Sequence, residues 1–286
     1  MKVAVKVITD STAYLDRKVL QELNITEVAM TVNLEDRSFI ETAISNEEFY
    51  QLIEGKKELP TSSQPSPLVF YEKFQELVEQ GDEVFCVLIS SDLSGTYYSA
   101  VQAGKMVQEK NPEARIEIID SRTTGMHLGL AAMAAARAAQ AGASLEEVRD
   151  AATSVLARSK LFFIPRSLEY LKKGGRIGEA ASLLGTLLQV KPVLTVKGPV
   201  TVFEKVRTFE KAVKRMLQVF EEDYQTYGIE EVAVHHINCA ADCEELLIKE
   251  IKDKTTREIL VSPIGPVLGL HVGPGTIGMA YATKEK

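Results

Sequence analysis

The chain has 286 residues, 45% of them hydrophobic and 26% charged, enough for one large domain or two ordinary ones with an ample core. A net charge of −7 and the lack of any long basic run argue against a nucleic-acid groove or an anionic-membrane surface. No uncharged apolar stretch approaches the roughly 18 residues of a membrane-spanning helix, and the irregularly spaced Cys86, Cys239 and Cys243 read as reduced thiols of a cytoplasmic protein.

The opening segment MKVAVKVITD reads as a strand over 3–9 rather than a signal peptide, because its apolar run is short and Asp10 follows at once. Short Val- and Ile-rich runs predict further strands over 27–33, 83–90, 115–120, 161–165, 192–196, 201–206, 231–237, 258–263 and 276–282. Helical spacing lies between them, over 46–52, 67–79, 98–109, 125–141, 144–157, 178–188, 209–224 and 240–253. Ser144 and Glu147 in SLEE form a capping-box pattern. The alternation predicts an α/β protein with mostly parallel sheets. Two successive helices between 125 and 160 look like a crossover, which divides the chain into units 1–158 and 159–286.

In open parallel sheets, ligands sit beyond the carboxyl ends of the strands. The loops there are TDST (9–12), an acidic loop around Glu35 and Asp36, SSDLSGT (90–96) and DSRTTG (120–125). LPTSSQPSP precedes the third strand, and KKGGRIG, EKVRT and GPVLGLHVGPGTIG lie in the second half. Asp10 reads either as a nucleophile or metal ligand, or with Ser11 and Thr12 as caps of a helix starting near Tyr14. No cluster of His, Cys and carboxylate has metal-ligand spacing. His235 and His236 adjoin on a strand and so face opposite ways, and His127 lies on an apolar helix as a core residue.

Four hydroxyls, on Ser90, Ser91, Ser94 and Thr96, crowd one strand-to-helix turn. Gly95 follows Ser94, but no glycine stands two residues before it, so the spacing of a hydrolase nucleophile elbow fails. A phosphate-binding loop is absent as well. Hydroxyls and backbone N–H groups at a helix start fit a static anion site better. His271 stands among four glycines in what reads as a turn between two apolar strands, either as a ligand group or as a structural one. Arg176 follows the pair Gly174–Gly175, either as a mobile basic group or as a solvated turn.

Taken together, ITDSTAYL, LPTSSQPSP, SSDLSGTYYSA, LKKGGRIGEAASLLGTLLQVKPVL, EKVRT and GPVLGLHVGPGTIG resemble the DegV family in order and spacing, from Val3 to Tyr281. The chain looks most like the fatty-acid-binding subunits of bacterial fatty acid kinase. That resemblance implies two α/β domains with the ligand at their interface, and a long-chain fatty acid as ligand with no other cofactor. It implies a non-catalytic cytoplasmic protein, with no nucleic acid and at most transient membrane contact. A separate ATP-binding kinase subunit would phosphorylate the bound carboxylate to an acyl phosphate, feeding exogenous fatty acids into phospholipid synthesis.

Carried over by residue, the resemblance puts the carboxylate on Ser94, on Ser62 or the preceding Thr61, and on His271. Arg176 and Arg207 would face the kinase or handle phosphate. The segments MHLGLAAMAAARAA and SLLGTLLQV are tunnel-wall candidates, with Met126 and Met133 as adaptable fillers, or simply core. The rival functions are a hydrolase built on Ser94 and His271 and a stand-alone lipid-sensing regulator.

Overall fold

The computed structural model describes residues 3–35, 37–53, 58–184, 190–255 and 257–284. The first part of the chain runs β1 (Val5–Asp10), α1 (Arg17–Glu22), β2 (Ile25–Val28), β3 (Thr31–Leu34), β4 (Arg37–Ile40), α2 (Asn46–Ile53) and β5 (Thr61–Ser63). It continues through α3 (Pro67–Glu79), β6 (Glu83–Leu88), α4 (Thr96–Lys110), β7 (Ile116–Asp120), α5 (Gly125–Gln140) and α6 (Leu145–Arg158). The second part runs β8 (Ser159–Ile164), α7 (Glu169–Lys173), β9 (Lys191–Val196), β10 (Val200–Val206), α8 (Phe209–Tyr227) and β11 (Ile229–His236). It ends with α9 (Ala240–Cys243), α10 (Lys249–Ile251), β12 (Leu260–Pro263), α11 (Pro266–Val272) and β13 (Ile277–Thr283). Among the described residues no helix is long and apolar enough to cross a membrane.

The first sheet has the order β2-β1-β6-β7 and is parallel throughout. Strand alternation gives β6 two apolar faces. Val84, Cys86 and Leu88 pack with Phe70 and Phe74 of α3 and Ala100 and Ala103 of α4. Phe85 and Val87 face the other way, into the central core. There α5 is buried along nearly its whole length, from Gly125 to Ala136. A helix hydrophobic all round is an interior helix, and α5 contacts β1 and β6 on one side and β8, β11 and β13 on the other. Its alanines keep the two sheets close.

The second sheet has the order β10-β9-β8-β13-β11-β12. The expected α/β layering holds, but the parallel pairing does not extend here. Only β11 and β12 pair parallel, and the other neighbours are antiparallel. The sequence pattern could not separate these cases, because both faces are buried either way. One face meets α5, and the other packs Phe162, Val232, Val234 and Tyr281 against Phe220 and Met216 of α8.

A small antiparallel sheet, β4-β3-β5, is an excursion from the first sheet. The single strand expected over 27–33 is therefore two strands in two different sheets. Arg37–Ile40 and Thr61–Ser63 pair there without having read as strands.

The excursion is fastened by a buried carboxylate. Glu41 is 3% exposed, and its Oε2 accepts from Ser11 Oγ at 2.5 Å. Its Oε1 accepts from Tyr14 Oη at 2.6 Å and from the Val267 N–H of α11 at 2.9 Å. Tyr14 Oη accepts in turn from Leu268 N, and Ser11 Oγ from Met30 N. Asp10, also buried, accepts from Thr12 N, Thr12 Oγ1 and Ile89 N. It caps the 3-10 turn Ser11–Ala13, and α1 starts later than expected, at Arg17. Burial raises the pKa of both carboxyls, against the pull of these donors.

The capping box at Ser144 is present, with Glu147 N donating to Ser144 Oγ at 3.3 Å and Ser144 N to Glu147 Oε2 at 2.8 Å. Ser144→Ala lowers unfolding stability by about 1 kcal/mol in a urea titration; an unchanged midpoint would contradict the cap. Half-buried Glu27 has its pKa pushed up to about 7, first by burial and then by the charges of Glu41 and Asp10. An unfolded glutamate releases its proton near 4.5, while the folded one keeps it. Glu27 thus favours the folded state below about pH 4.5, and this contribution is lost as pH rises towards 7. Glu27→Gln flattens that part of the stability–pH profile; a variant as steep as the parent would refute the assignment.

Candidate functional site

A cavity of about 310 Å³ lies between the loops at the carboxyl end of the first sheet, the second sheet and α11. Ile89, Leu161, Phe163, Val196, Ile237 and Val267 form much of its apolar wall. At the rim, Ser62, Ser63, Gln64, Ser94, Arg176 and His271 gather. Ser62 and Ser94 are half-buried, while Gln64 and Arg176 are exposed, so the polar end is the open one.

Local structure explains which hydroxyls arrive there. Along β5 side chains alternate sides. Ser62 meets His271, Oγ to Nε2 at 2.9 Å, across 209 residues of sequence. Thr61 is exposed and is not among the residues lining the cavity. Of the four hydroxyls at the β6–α4 turn, only that of Ser94 lines the cavity. Its Oγ lies 2.9 Å from Thr96 Oγ1 and accepts from Thr96 N at 3.4 Å, so it also steadies the first turn of α4. Ser90 Oγ donates instead to Gly198 O at 2.8 Å, tying the first sheet to the β9–β10 turn. Ser91 Oγ accepts from Arg122.

His271 lies in the last turn of α11, not in a turn between strands. The glycines that suggested a loop are used otherwise: Gly269 stays helical, and Gly273 with φ +90° ends the helix. A Cβ on Gly174 would sit 2.3 Å from His271 Nδ1, so only glycine lets the α7 end approach the ring this closely. Burial, and then the Arg176 charge, push the His271 pKa down to about 4, leaving a neutral imidazole at pH 7. Nδ1 is packed against Gly174 and has no partner among the described residues, so the nitrogen that acts at the rim is Nε2, paired with Ser62 Oγ.

Arg176 stands at the rim, held by Nε on Leu93 O at 3.2 Å and Nη1 on Gly174 O at 2.8 Å. Arg207 is exposed where β10 passes into α8, and it does not line the cavity. The structure thus brings together Ser62, Ser94, His271 and Arg176, but not Thr61 or Arg207.

The tunnel-wall candidates fare differently. Of α5 only Gly125 lines the cavity, and Met126 and Met133 belong to the core. His127 is buried, with Nδ1 on Thr123 Oγ1 at 2.9 Å, in keeping with a core residue. Within SLLGTLLQV, residues 185–189 lie outside the described residues, as does Asp36 of the acidic loop. Sequence reasoning missed Thr124 and His235, both of which line the cavity. A signal was available for His235: strand alternation puts it on the same face of β11 as the cavity residue Ile237, with His236 on the other.

Chemically, the rim offers neutral donors and one cation around an open end, above an apolar interior. Ser62 and His271 form a hydroxyl–imidazole pair, but no carboxylate orients the ring as nucleophilic catalysis requires. No group of three or more His, Cys, Asp and Glu side chains among the described residues could hold a metal ion.

A family model described as "Uncharacterised protein, DegV family" matches residues 4–284. A DegV domain-containing protein of Clostridium acetobutylicum is 48% identical over 283 residues, covering 99% of each chain. Among solved structures, DegV of Bacillus subtilis, a fatty acid binding protein, matches with a TM-score of 0.89 at 28% identity, over 99% of this chain and 100% of its own. A stearic acid-binding protein of Eubacterium ventriosum matches with a TM-score of 0.85 at 28% identity, over 98% of each chain. The chain belongs to the DegV family.

Proposed function

We propose that the chain binds one long-chain fatty acid in this cavity, its tail along the apolar wall and its carboxylate at the rim. The observation that carries the reading is the cavity itself, an apolar interior that ends at Ser62, Ser94, His271 and Arg176. Each methylene taken from water contributes about 0.8 kcal/mol, so the tail supplies most of the affinity. Ser94 and Ser62 donate to the carboxylate and fix its orientation, with His271 Nε2–H donating to the Ser62 oxygen and so aiming its proton at the ligand. Thr61, exposed and outside the cavity, takes no part. The two fatty-acid-binding proteins share the fold over 98–100% of their length.

On this reading the chain is the non-catalytic half of a cytoplasmic kinase complex. The carboxylate sits at the open end, where a separate ATP-binding subunit can reach it. Phosphoryl transfer needs positioning and charge neutralisation more than covalent chemistry, and the partner brings ATP and Mg²⁺. Arg176 would meet the transferred phosphoryl group, and Arg207 would lie on the docking side. The product, an acyl phosphate, feeds phospholipid synthesis. The units 1–158 and 159–286 act as two jaws around the tail. A hydrolase built on Ser94 and His271 has less support, because the serine nearest the imidazole is Ser62 and the His271 pKa of about 4 makes a weak base at neutral pH.

Two measurements test this. Titration with palmitate gives Ser94→Ala and His271→Ala variants that bind about tenfold or more weakly than the parent, since the first loses a hydrogen bond to a charged group and the second loses the imidazole that aims the Ser62 hydroxyl; parental affinity in both would sink the carboxylate site. Incubation with a fatty acid kinase subunit, ATP and Mg²⁺ yields acyl phosphate, trapped as the hydroxamate, and Arg176→Ala slows its formation more than it weakens binding. Hydrolysis of activated esters by the chain alone, abolished in Ser94→Ala, would favour the hydrolase instead.

A further inference from the structure

Three consecutive side chains at the rim are tied to three different elements. Ser62 Oγ meets His271 Nε2 of α11, Ser63 Oγ accepts from Asn33 Nδ2 of β3 at 2.7 Å, and Gln64 Nε2 donates to Ser99 Oγ of α4 at 3.1 Å. Gln64 is exposed and lines the mouth of the cavity, whereas Ser99 is 3% exposed. The backbone at Gln64 is held as well. Buried Pro65 follows it, which favours an extended conformation at 64, and Pro67 opens α3.

The Gln64 amide lies along the first turn of α4. Ser99 N donates to Gly95 O at 3.0 Å, closing that turn. The atoms of the amide stand 2.1–2.7 Å from the point a Gly95 Cβ would occupy. Gly95 has an ordinary φ of −74°, so a Cβ there would displace the amide rather than strain the turn. Ser94 directly precedes Gly95, and Ser62 stands two residues before Gln64. One side chain therefore bridges the two segments that carry the rim hydroxyls. Those segments share no sheet: Ser62 lies on β5 of the small antiparallel sheet, and Ser94 in the turn from β6 to α4. Two donors serve one carboxylate only at a fixed separation and angle, because hydrogen bonds weaken steeply when misaligned.

We infer that Gln64 is a positioning residue, whose amide, seated over Gly95 and bonded to Ser99, holds β5 against α4 so that the Ser62 and Ser94 hydroxyls converge on one carboxylate. This rests on the fatty-acid reading above and adds the residue that sets the geometry of its head-group site.

The test is a pair of binding titrations, with palmitate and with 1-hexadecanol, which has the same tail length and no carboxylate. The parent binds the acid more tightly. In Gln64→Ala the ratio of palmitate affinity to hexadecanol affinity falls about tenfold, on the order of one hydrogen bond to a charged group. Gly95→Ala, whose Cβ takes the seat of the amide, and Ser99→Ala, which removes its acceptor, lower the ratio in the same direction. Either of them combined with Gln64→Ala lowers it little further, because each breaks the same tie. A variant that merely loosened the fold would weaken both ligands alike and leave the ratio unmoved. Should Ser99→Ala fail to fold, Gln64→Ala and Gly95→Ala still decide. Palmitate binding with an unchanged ratio in Gln64→Ala overturns this inference and leaves the fatty-acid reading standing. Full additivity of Gln64→Ala with Gly95→Ala overturns it too, since the glutamine would then act on the ligand by itself. No binding of palmitate by the parent overturns both.

Discussion

The buried carboxylate of Glu41 is the fastening on which the site depends. Its oxygens collect Ser11, Tyr14 and the Val267 N–H, drawing the loop after β1, the strand β4 and the first turn of α11 to one point. A carboxyl group out of water is costly unless hydrogen-bonded, and here three donors from two distant parts of the chain meet that need. His271 lies four residues after Val267, one helical turn along α11. The position of the imidazole is thus set from the N-terminal half of the chain, before any ligand arrives. Ser62 reaches it from a sheet anchored by the same carboxylate, since Glu41 directly follows β4.

The second constraint is the seam between the two larger sheets. Ser90 Oγ donates to Gly198 O, and Gly198 N donates to Arg122 O. Gly198 has φ +84°, a backbone conformation that side-chain-bearing residues rarely adopt, so the turn takes glycine here. On the core side α5, largely alanine, lets both sheets close on it. What remains open between these two seams is the cavity, polar where it reaches solvent and apolar further in. Such a division suits an amphipathic ligand, whose tail needs volume and whose head needs a few fixed donors.

Much of this was legible in the sequence where local chemistry decides. The α/β alternation, the span of α3, the cap at Ser144 and the core character of His127 all rest on periodicity and short-range bonding. The excursion β3–β4–β5 was not legible, because Thr61–Ser63 is a three-residue polar strand whose only claim to that state is its pairing with β3. Nor was the helix carrying His271, whose glycines and proline argue for a loop until Glu41 fixes its start. Antiparallel order in the second sheet was hidden by burial on both faces. The family motifs marked the rim hydroxyls, but the meeting of Ser62 with His271, and the placing of Thr124 and His235 on one cavity wall, are properties of the assembled fold.

The central claim is that the space between the sheets is a berth for an acyl tail. Native mass spectrometry of the protein as purified from cells, followed by solvent extraction and identification of what is released, tests it most directly. The account predicts one long-chain acid per polypeptide, lost on extraction and restored by adding the acid back. A protein that carries no such acid, and acquires none when offered a range of them, would contradict it.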